Sequence, residues 1–260
     1  MEASQGNLAG KVILVSGTGR GIGRAVALEL TAQGARVFGC DLDTEGAEET
    51  VRLVREAGGV MDSLAPVDLS HQEGADAWVT AAVRAFGGID VLYNNASALR
   101  HGSIADIPLE DWYFTIQNEL HIVFHCTRAA WPHLVARGGG SIINVGSIAG
   151  MRGVEFVPMA PHGAAKGGVI AFTLHTTAAG AGLNIRANAI SPGMTRTPET
   201  AQFIDDPNGP VPALMAQTPA RRVGEPRDIA KLVAFLASDD SSYINGANIV
   251  IDGGISAMGG

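Results

Sequence analysis

The sequence predicts an α/β fold built on a doubly wound parallel sheet, and three observations lead to that prediction. The run 12–15 is apolar and mostly β-branched, which suits a strand buried on both faces of a sheet. A glycine-rich turn follows, and in 24–30 the apolar positions recur at helical spacing. The order of strand, turn and helix then repeats along the chain, which is typical of right-handed βαβ crossovers.

Three glycines shape the first turn: Gly17, Gly21 and Gly23. Residues without a Cβ allow the chain to reverse tightly, let a phosphate approach the backbone and let the helix pack on the strand. The free N–H groups and the positive end of the helix then form an anion site. Turns are rich in glycine for steric reasons alone, so the flanking strand and helix are what favour a nucleotide site over an ordinary turn.

An acidic residue lies at the distance that a dinucleotide site requires. The second strand, 35–41, ends on Asp41, roughly 20 residues past the glycines, where a carboxylate binds the hydroxyl pair of a ribose. A carboxylate there also repels a 2′-phosphate, so we expect NAD rather than NADP. Arg20 in the glycine turn mildly favours NADP instead, because its guanidinium could bind a 2′-phosphate.

The later elements alternate in the same way. Further strands are predicted at about 60–67, 89–93, 141–147, 184–190 and 247–251. Further helices are predicted at about 44–57, with Thr44 as its cap, 70–86, with Ser70 as its cap, 108–131, 163–179 and 227–237. The segment 194–219 lacks sustained periodicity, and we interpret it as a lid over the substrate, with an ordinary surface excursion as the alternative.

Polar residues follow the carboxyl ends of successive predicted strands, where ligands of such sheets bind. They are Asp41, Asp68, 94–97, Ser147 and 192–193. Each is also a common turn former, but their joint occurrence at one edge indicates a site. One side of the helix 163–179 is flat, with Gly163, Ala164, Ala165, Gly167, Gly168 and Ala171, and it suits either internal packing or a subunit contact.

The composition predicts a single domain over residues 1–260. Hydrophobic residues make up 46% of the chain and charged residues 17%, which is enough for a large buried sheet, and the net charge of -8 argues against nucleic-acid binding. Neither a run of about 20 apolar residues nor a signal-peptide pattern is present, so we expect a cytoplasmic protein without membrane contact. Cys40 and Cys126 lie in apolar contexts and predict buried thiols rather than a disulfide or metal site.

Six ordered stretches carry a family resemblance: GTGRGIG at 17–23, NNA at 94–96, GSIINVGS at 140–147, IRANAISPG at 185–193, GEP at 224–226 and DGG at 252–254. Together they resemble the short-chain dehydrogenase/reductase family over essentially the whole chain. That resemblance implies a Rossmann-type sheet of about seven strands with helices on both faces, a nicotinamide cofactor, interconversion of alcohols and carbonyls, and commonly a homotetramer.

The resemblance also implies a role for individual residues. The pyrophosphate would lie on the turn formed by Gly17, Thr18, Gly19, Arg20, Gly21, Ile22 and Gly23. Asp41 and Leu42 would hold the adenosine ribose, Asp68 and Leu69 the adenine, and Lys166 the nicotinamide ribose. Asn95 and Ala96 would form the scaffold beside the cofactor, and Pro192, Gly193 and Thr195 would flank the carboxamide.

The catalytic match is incomplete. The family has a tyrosine four residues before its active lysine, and this chain has His162 there, before Lys166. The asparagine expected in the preceding long helix aligns with Glu119 rather than with the adjacent Asn118. Ser147 and Lys166 remain of the usual set, and the stretch between 147 and 162 is about two residues longer than usual.

The resemblance implies that an alcohol or ketone exchanges a proton with a general acid/base. In the family a tyrosine does this, its ordinary pKa of about 10 being lowered by the lysine. Next to Lys166 an imidazole would be mostly neutral and could accept the proton directly, with a bridging water where its shorter reach requires one. The expected reaction is NAD-dependent alcohol oxidation, with Ser147 orienting the hydroxyl.

Two other hypotheses stay open: a catalytically silent NAD-binding protein, and a non-redox enzyme on the same fold. Glu119 is either a member of a proton relay or a structural replacement. The residues expected around a small alcohol or ketone substrate are Ser97, Arg100 and Met194, together with His101, Arg152, Glu155, Phe156 and Phe203. His121, His125 and His175 lack the spacing of metal ligands, so no metal is expected.

Overall fold

A computed structural model describes residues 7–153 and 157–258. Seven strands form one sheet: β1 Val12–Ser16, β2 Arg36–Cys40, β3 Val60–Leu64, β4 Val91–Asn94, β5 Gly140–Val145, β6 Ile185–Pro192 and β7 Asn248–Ile251. Their spatial order is β3-β2-β1-β4-β5-β6-β7, and every neighbouring pair is parallel. The predicted doubly wound parallel sheet is therefore confirmed.

Helices cover both faces of this sheet. They are α1 Gly21–Ala32, α2 Thr44–Glu56, α3 Gln72–Phe86, α4 Leu109–Ile116, α5 Ile122–Ala136, α6 Ala160–Ala179, α7 Pro198–Ile204, α8 Pro210–Gln217 and α9 Pro226–Ala237. The buried side chains of α3, α5 and α6 pack in one core cluster, and those of α1, α2 and α9 pack in the other.

The first strand shows why the sheet is buried on both sides. Val12 and Leu14 belong to the core under α3, α5 and α6, whereas Ile13 and Val15 belong to the core under α1, α2 and α9. Successive side chains of a strand point to opposite faces, so an unbroken apolar run fills both layers. Burying each such side chain contributes roughly 1.5–3 kcal/mol.

The topology fixes where a ligand can bind. β1 pairs with β2 on one side and with β4 on the other, and the chain crosses from the edge strand β3 back to β4. This reversal opens a crevice beyond the carboxyl ends of β1 and β4, which is the usual binding position in such sheets.

Two predicted helix caps are wrong. The Asp43 carboxylate, rather than the Thr44 hydroxyl, caps α2, because it accepts a hydrogen bond from the Gly46 N–H at 3.0 Å. The residue before α3 is His71, and the Ser70 hydroxyl is bonded to the His71 ring at 2.9 Å instead of to the helix backbone.

The predicted long helix 108–131 is interrupted. α4 and α5 are joined by a π-helical turn, Gln117–His121, and the whole run extends to Ala136. A π turn inserts one residue into the helical repeat and changes the direction of the side chains within it. The apolar periodicity of the sequence carried no sign of this insertion.

The lack of periodicity in the segment 194–219 had indicated a loop, but the segment is partly helical. It contains α7 and α8, which are too short for a periodic pattern to show. Thr197 and Thr200 form a reciprocal capping box at the start of α7, and Pro198 occupies the first turn.

Much of the flat side of α6 is used inside the molecule. A Cβ on Gly163 would lie 2.9 Å from the Ala149 carbonyl oxygen, and one on Gly168 would lie 2.9 Å from the Leu120 side chain. These glycines therefore allow α6 to approach the neighbouring elements closely. Cys40 and Cys126 are free and buried, as predicted. Within 7–153 and 157–258, none of the helices combines the length and apolar character needed to span a bilayer.

Candidate active site

The glycine turn sits at the crevice and requires glycine at more than one position. Gly17 and Gly21 have φ angles of +73° and +56°, in the left-handed region that glycine enters without strain. A Cβ on Gly23 would lie 1.8 Å from the Gly17 carbonyl oxygen, which no side chain can tolerate. The turn thus presents bare backbone at the N-terminus of α1, where an anionic group is favoured.

Side chains from β1 and β4 brace this turn. Asn95 Nδ2 donates to the Ser16 carbonyl at 2.9 Å and to the Gly17 carbonyl at 3.2 Å. Ser16 Oγ in turn accepts from the backbone N–H groups of Asn95 and Ala96, at 2.9 and 3.0 Å. Asn95 therefore joins the end of β1 to the glycine turn, and its role beside a cofactor stays a prediction. Ser16 was missed, although a polar residue ending an apolar strand is a usable signal.

Asp41 faces the glycine turn from the end of β2. Its Oδ2 accepts from the Gly19 N–H at 2.7 Å, and its Oδ1 accepts from the Asp43 N–H at 2.9 Å. The neighbouring Leu42 is 63% exposed. Asp41 Oδ2 would also lie only 2.9 Å from a Cβ on Gly19, so the carboxylate and the turn are in direct contact.

Arg20 points elsewhere. Its Nε donates to Glu199 Oε1 of α7 at 2.5 Å, so the Arg20 guanidinium is paired with an acidic side chain of the segment 194–219. Thr18 is fully buried, and its hydroxyl bonds to the Cys40 carbonyl at 3.4 Å. Ile22 packs partly buried against the core under α1.

Asp68 lies beyond the end of β3 and Leu69 beside it is buried. The Ser70 N–H donates to Asp68 Oδ1 at 2.9 Å. Hydrogen bonds from Ser70 and the nearby His71 ring lower the pKa of the Asp68 carboxyl.

At the other end of the crevice, β6 runs into a tight bend. The Gly193 N–H donates to the Ile251 carbonyl at 3.0 Å, and a Cβ on Gly193 would lie 2.7 Å from Asp252 Cβ. Thr195 is buried, with its hydroxyl 3.2 Å from the Gly193 carbonyl. Pro192 ends β6, and Met194 is half-buried between these residues.

The centre of the site is a buried carboxylate with three polar neighbours. Glu119, in the π-helical turn, is 0% exposed. Its Oε2 lies 2.7 Å from His162 Nδ1, and its Oε1 accepts from Ser97 Oγ at 2.5 Å. Lys166 Nζ is 3.7 Å from the same Oε1 and donates to the Val145 carbonyl at 3.1 Å. The π turn therefore places Glu119, and not Asn118, against His162.

The charges of this cluster support one another. Burial by itself would raise the pKa of the Glu119 carboxyl, but the Lys166 cation and the hydrogen bonds from His162 and Ser97 outweigh it and lower the pKa below its ordinary value. Glu119 is therefore an anion at neutral pH. His101 faces the cluster from the connection after β4, and burial together with the His162 ring lowers its pKa.

Ser147 lies on a separate element that packs on the same helix. It precedes a short 3-10 turn, Ile148–Gly150, and its Oγ accepts from the Ala149 N–H at 3.1 Å. A Cβ on Gly150 would lie 2.5 Å from the Gly167 N and 2.7 Å from the Lys166 carbonyl carbon. The turn after Ser147 thus presses directly on the backbone that carries His162 and Lys166.

The predicted substrate residues are placed as follows. The Ser97 hydroxyl is bonded to Glu119, and the Arg100 guanidinium stacks over the Phe114 ring at 4.5 Å and lies 3.9 Å from Asp111. His101 contacts the Phe203 ring of α7 edge-on, with the ring centroids 6.4 Å apart. Glu155 and Phe156 lie outside the described residues.

Nearly the whole chain is similar to known proteins. A family model described as enoyl-(acyl carrier protein) reductase matches residues 17–256. The 3-oxoacyl-(acyl-carrier-protein) reductase FabG of Vibrio cholerae is 35% identical over 249 residues, covering 96% of this chain and 98% of that protein. The trans-4-hydroxycyclohexanecarboxylate dehydrogenase of Sinomonas cyclohexanicum is 40% identical over 256 residues, covering 96% and 94%. The crystal structure of levodione reductase has a TM-score of 0.90 at 31% identity, covering 97% of this chain and 100% of that one.

The class of protein follows from the fold and from these nearly full-length matches. The glycine turn lies where the strand order reverses, between β1 and β4, and the matching proteins are α/β oxidoreductases. The chain belongs to the short-chain dehydrogenase/reductase family, whose members use nicotinamide cofactors. The family resemblance seen in the motifs is thereby confirmed.

Proposed function

We propose that the protein interconverts a secondary alcohol and a ketone with NAD, and that His162 exchanges the proton with the substrate oxygen. The observation that supports this most directly is the buried Glu119 carboxylate 2.7 Å from His162 Nδ1. It fixes the imidazole in the orientation that a general base needs.

The crevice fits a dinucleotide. The glycine turn from Gly17 to Gly23 would hold the pyrophosphate, because a Cβ is excluded there and the N-terminus of α1 favours anions. Asp41 and Leu42 would hold the adenosine ribose, Asp68 and Leu69 the adenine, and Lys166 the nicotinamide ribose. Pro192, Gly193 and Thr195 would line the carboxamide side. When bound, the nicotinamide accepts or donates the hydride.

The state of His162 follows from its partner. An ionised carboxylate can only accept hydrogen bonds, so the proton of the neutral imidazole lies on Nδ1. Nε2 then carries a free lone pair and can take the proton of an alcohol. In the reverse direction, Nε2 of the imidazolium protonates the alkoxide left by ketone reduction. Glu119 stays ionised in both directions and stabilises the charged imidazole.

Lys166 and Ser147 complete the set. Lys166 is held by the Val145 carbonyl and by Glu119, so its ammonium is fixed at one place in the crevice. It would bind the nicotinamide ribose there and supply positive charge near the reacting groups. Ser147 would donate its hydroxyl hydrogen to the substrate oxygen, which orients the alcohol towards His162.

The preference for NAD is supported by two contacts. Asp41 is bonded to the Gly19 N–H at 2.7 Å and would be close to any 2′-phosphate, which its charge would repel. Arg20 is paired with Glu199 and so is already engaged.

The printed names of the relatives suggest substrates to test. They include a hydroxycyclohexanecarboxylate dehydrogenase and a levodione reductase, so cyclic alcohols and ketones belong in the panel beside open-chain ones. We further propose that the segment 194–219 covers the substrate, and that the chain, as one domain, assembles into a homotetramer, which sedimentation analysis tests.

The test has two stages. NADH and NADPH are titrated against the protein while fluorescence is followed, and saturable binding with tighter NADH binding is expected. Alcohols and ketones are then screened by nicotinamide absorbance with wild type, His162→Ala and the control His175→Ala, which alters an exposed histidine of the same helix.

We expect His162→Ala to lose turnover by about 10²–10⁴-fold with unchanged NADH affinity, and His175→Ala to behave as wild type. Activity found only in His162→Tyr would contradict the proposal and indicate a silent protein. Turnover without a change in nicotinamide absorbance would indicate non-redox chemistry.

A further inference from the structure

Ser97 makes the shortest contact of the buried cluster, yet the mechanism above gives it no part. Its Oγ donates to Glu119 Oε1 at 2.5 Å, from the connection that follows β4. Glu119 itself belongs to the π-helical turn, so this bond joins two elements that pack against each other at the site. The sequence had suggested that Ser97 touches the substrate.

We propose that Ser97 is a positioning residue for proton transfer, acting through Glu119 on His162. This inference rests on the proposed function of His162. The hydroxyl ties Oε1 in place, and because the carboxylate is planar, fixing Oε1 also fixes the direction in which Oε2 meets His162 Nδ1.

The geometry explains why such a bond is needed. Glu119 Oε1 accepts a hydrogen bond from Ser97 Oγ at 2.5 Å and forms an ion pair with Lys166 Nζ at 3.7 Å, whereas Oε2 faces His162 Nδ1 at 2.7 Å. The lysine is beyond hydrogen-bond distance and already bonded to the Val145 carbonyl. Among residues 7–153 and 157–258, Ser97 is therefore the only close donor to Oε1 besides the imidazole, whose Nδ1 is 3.0 Å away and can give its single proton to only one oxygen at a time.

Removing the hydroxyl changes the cluster in a defined direction. The charged and titratable groups that face His162 are Glu119 from the π turn, Lys166 from α6 and His101 from the connection after β4. Without the Ser97 bond, the pKa of Glu119 rises, because that bond is one of the causes that lower it. Because Glu119 must be ionised to hold His162 in the proposed orientation, this change moves the acid limb of the plot of kcat against pH to higher pH.

The experiment compares wild type, Ser97→Ala and Ser97→Thr over a pH series. Ser97 is exposed in the crevice, so its truncation removes little packing. Ser103→Ala is the matched control, because Ser103 makes a 2.7 Å bond to Asp106 in the same connection, away from the buried cluster.

In Ser97→Ala we expect kcat at neutral pH to fall roughly 10-fold and the acid limb to rise by at least about half a pH unit, with KM nearly unchanged. Ser97→Thr keeps a hydroxyl and should restore the wild-type profile. A raised KM with an unmoved pH profile would overturn the inference and assign Ser97 to substrate contact.

A second measurement does not depend on turnover. Ring nitrogen-15 spectra of histidine-labelled protein report which imidazole nitrogen carries the proton, and His162 is assigned by its loss in His162→Gln. We expect the Nδ1-protonated form in wild type and a mixture in Ser97→Ala. Identical ring spectra in both proteins would overturn the role of Ser97, whereas failure of the whole alcohol panel would overturn only the proposed function.

Discussion

Replacing Glu119 by glutamine is the sharpest perturbation that the site offers. The amide has nearly the shape of the carboxylate, so packing is preserved, but it can donate from one end and accept only at the other. Its oxygen takes the place of Oε1, because that position accepts a hydrogen bond from the Ser97 hydroxyl at 2.5 Å and lies 3.7 Å from the positive Lys166 ammonium, which would repel an NH₂ group. Its NH₂ group then faces His162 Nδ1 in place of Oε2, at 2.7 Å.

This orientation of the amide changes which nitrogen of the His162 ring carries the proton. Nδ1 must now accept the bond from the amide, so the ring proton moves to Nε2, where it blocks acceptance of the substrate proton. The same exchange behind the histidine of a serine protease lowers kcat about 10⁴-fold. We expect a loss of about 10³–10⁴-fold here, which corresponds to roughly 4–5.5 kcal/mol of transition-state stabilisation.

The assay measures kcat and KM with the best alcohol of the panel, together with the dissociation constant of NADH. Glu110→Gln, at an exposed position of α4, is the matched control and should leave kcat unchanged. NADH affinity of Glu119→Gln should stay close to that of wild type. If Glu119→Gln keeps kcat within about threefold of wild type while it binds NADH and remains folded, the assigned tautomer and the role of Glu119 are both wrong.

Three other results are expected. Gly23→Ala should destabilise the fold by about 1–3 kcal/mol and remove NADH binding, because its Cβ would lie 1.8 Å from the Gly17 oxygen; denaturant unfolding and NADH titration measure this. Asp41→Ser should shift the ratio of NADPH to NADH affinity towards NADPH by roughly 10-fold, since it removes a negative charge from the ribose site; paired titrations measure it. The advantage in unfolding free energy of wild type over Glu119→Gln should be constant above about pH 5 and shrink below the ordinary carboxyl value of 4.5, because the pKa of Glu119 is lowered in the folded state.

Each of these has a matched comparison. Gly88→Ala should be tolerated, because its Cβ would meet nothing closer than 3.5 Å. An equal loss of unfolding free energy in Gly88→Ala and Gly23→Ala would contradict the steric argument. Asp62→Ser removes a charge from the exposed edge strand β3 and should leave the nucleotide preference unchanged. A difference in unfolding free energy that grows as the pH falls would mean that Glu119 is protonated more readily in the folded protein than in the unfolded chain.

The parts of the fold that depend on local sequence were predictable. Gly17 and Gly23 are required by backbone conformation and by contact within a few residues, and the alternating strands and helices follow from apolar spacing. Helix caps were less predictable, because Asp43 and Thr44 are both good caps and the choice between them depends on the approach of the chain to α2.

The buried cluster was only partly predictable. Aligning the family motifs placed Glu119 where an asparagine was expected and His162 where a tyrosine was expected. The bond between them depends on the π-helical turn, which residue spacing does not show. The Ser97 bond is less visible still, because a serine after a strand has many uses. Such contacts join segments far apart in the chain, and only the folded structure brings them together.

Under the proposed mechanism, Glu119 and His162 act as one unit rather than as two independent residues. Lys166 is a buried cation, and an imidazole that takes up a proton beside it adds a second positive charge. In general, two like unit charges repel by roughly 4 kcal/mol at a separation of about 4 Å and an effective dielectric constant of 20. A carboxylate that contacts both His162 and Lys166 reduces the net charge of the group to zero before proton transfer and to a single positive charge after it. Under the proposed mechanism, an imidazole serves as proton acceptor beside this lysine because a buried anion accompanies it, and the Ser97 hydroxyl holds that anion without becoming charged itself.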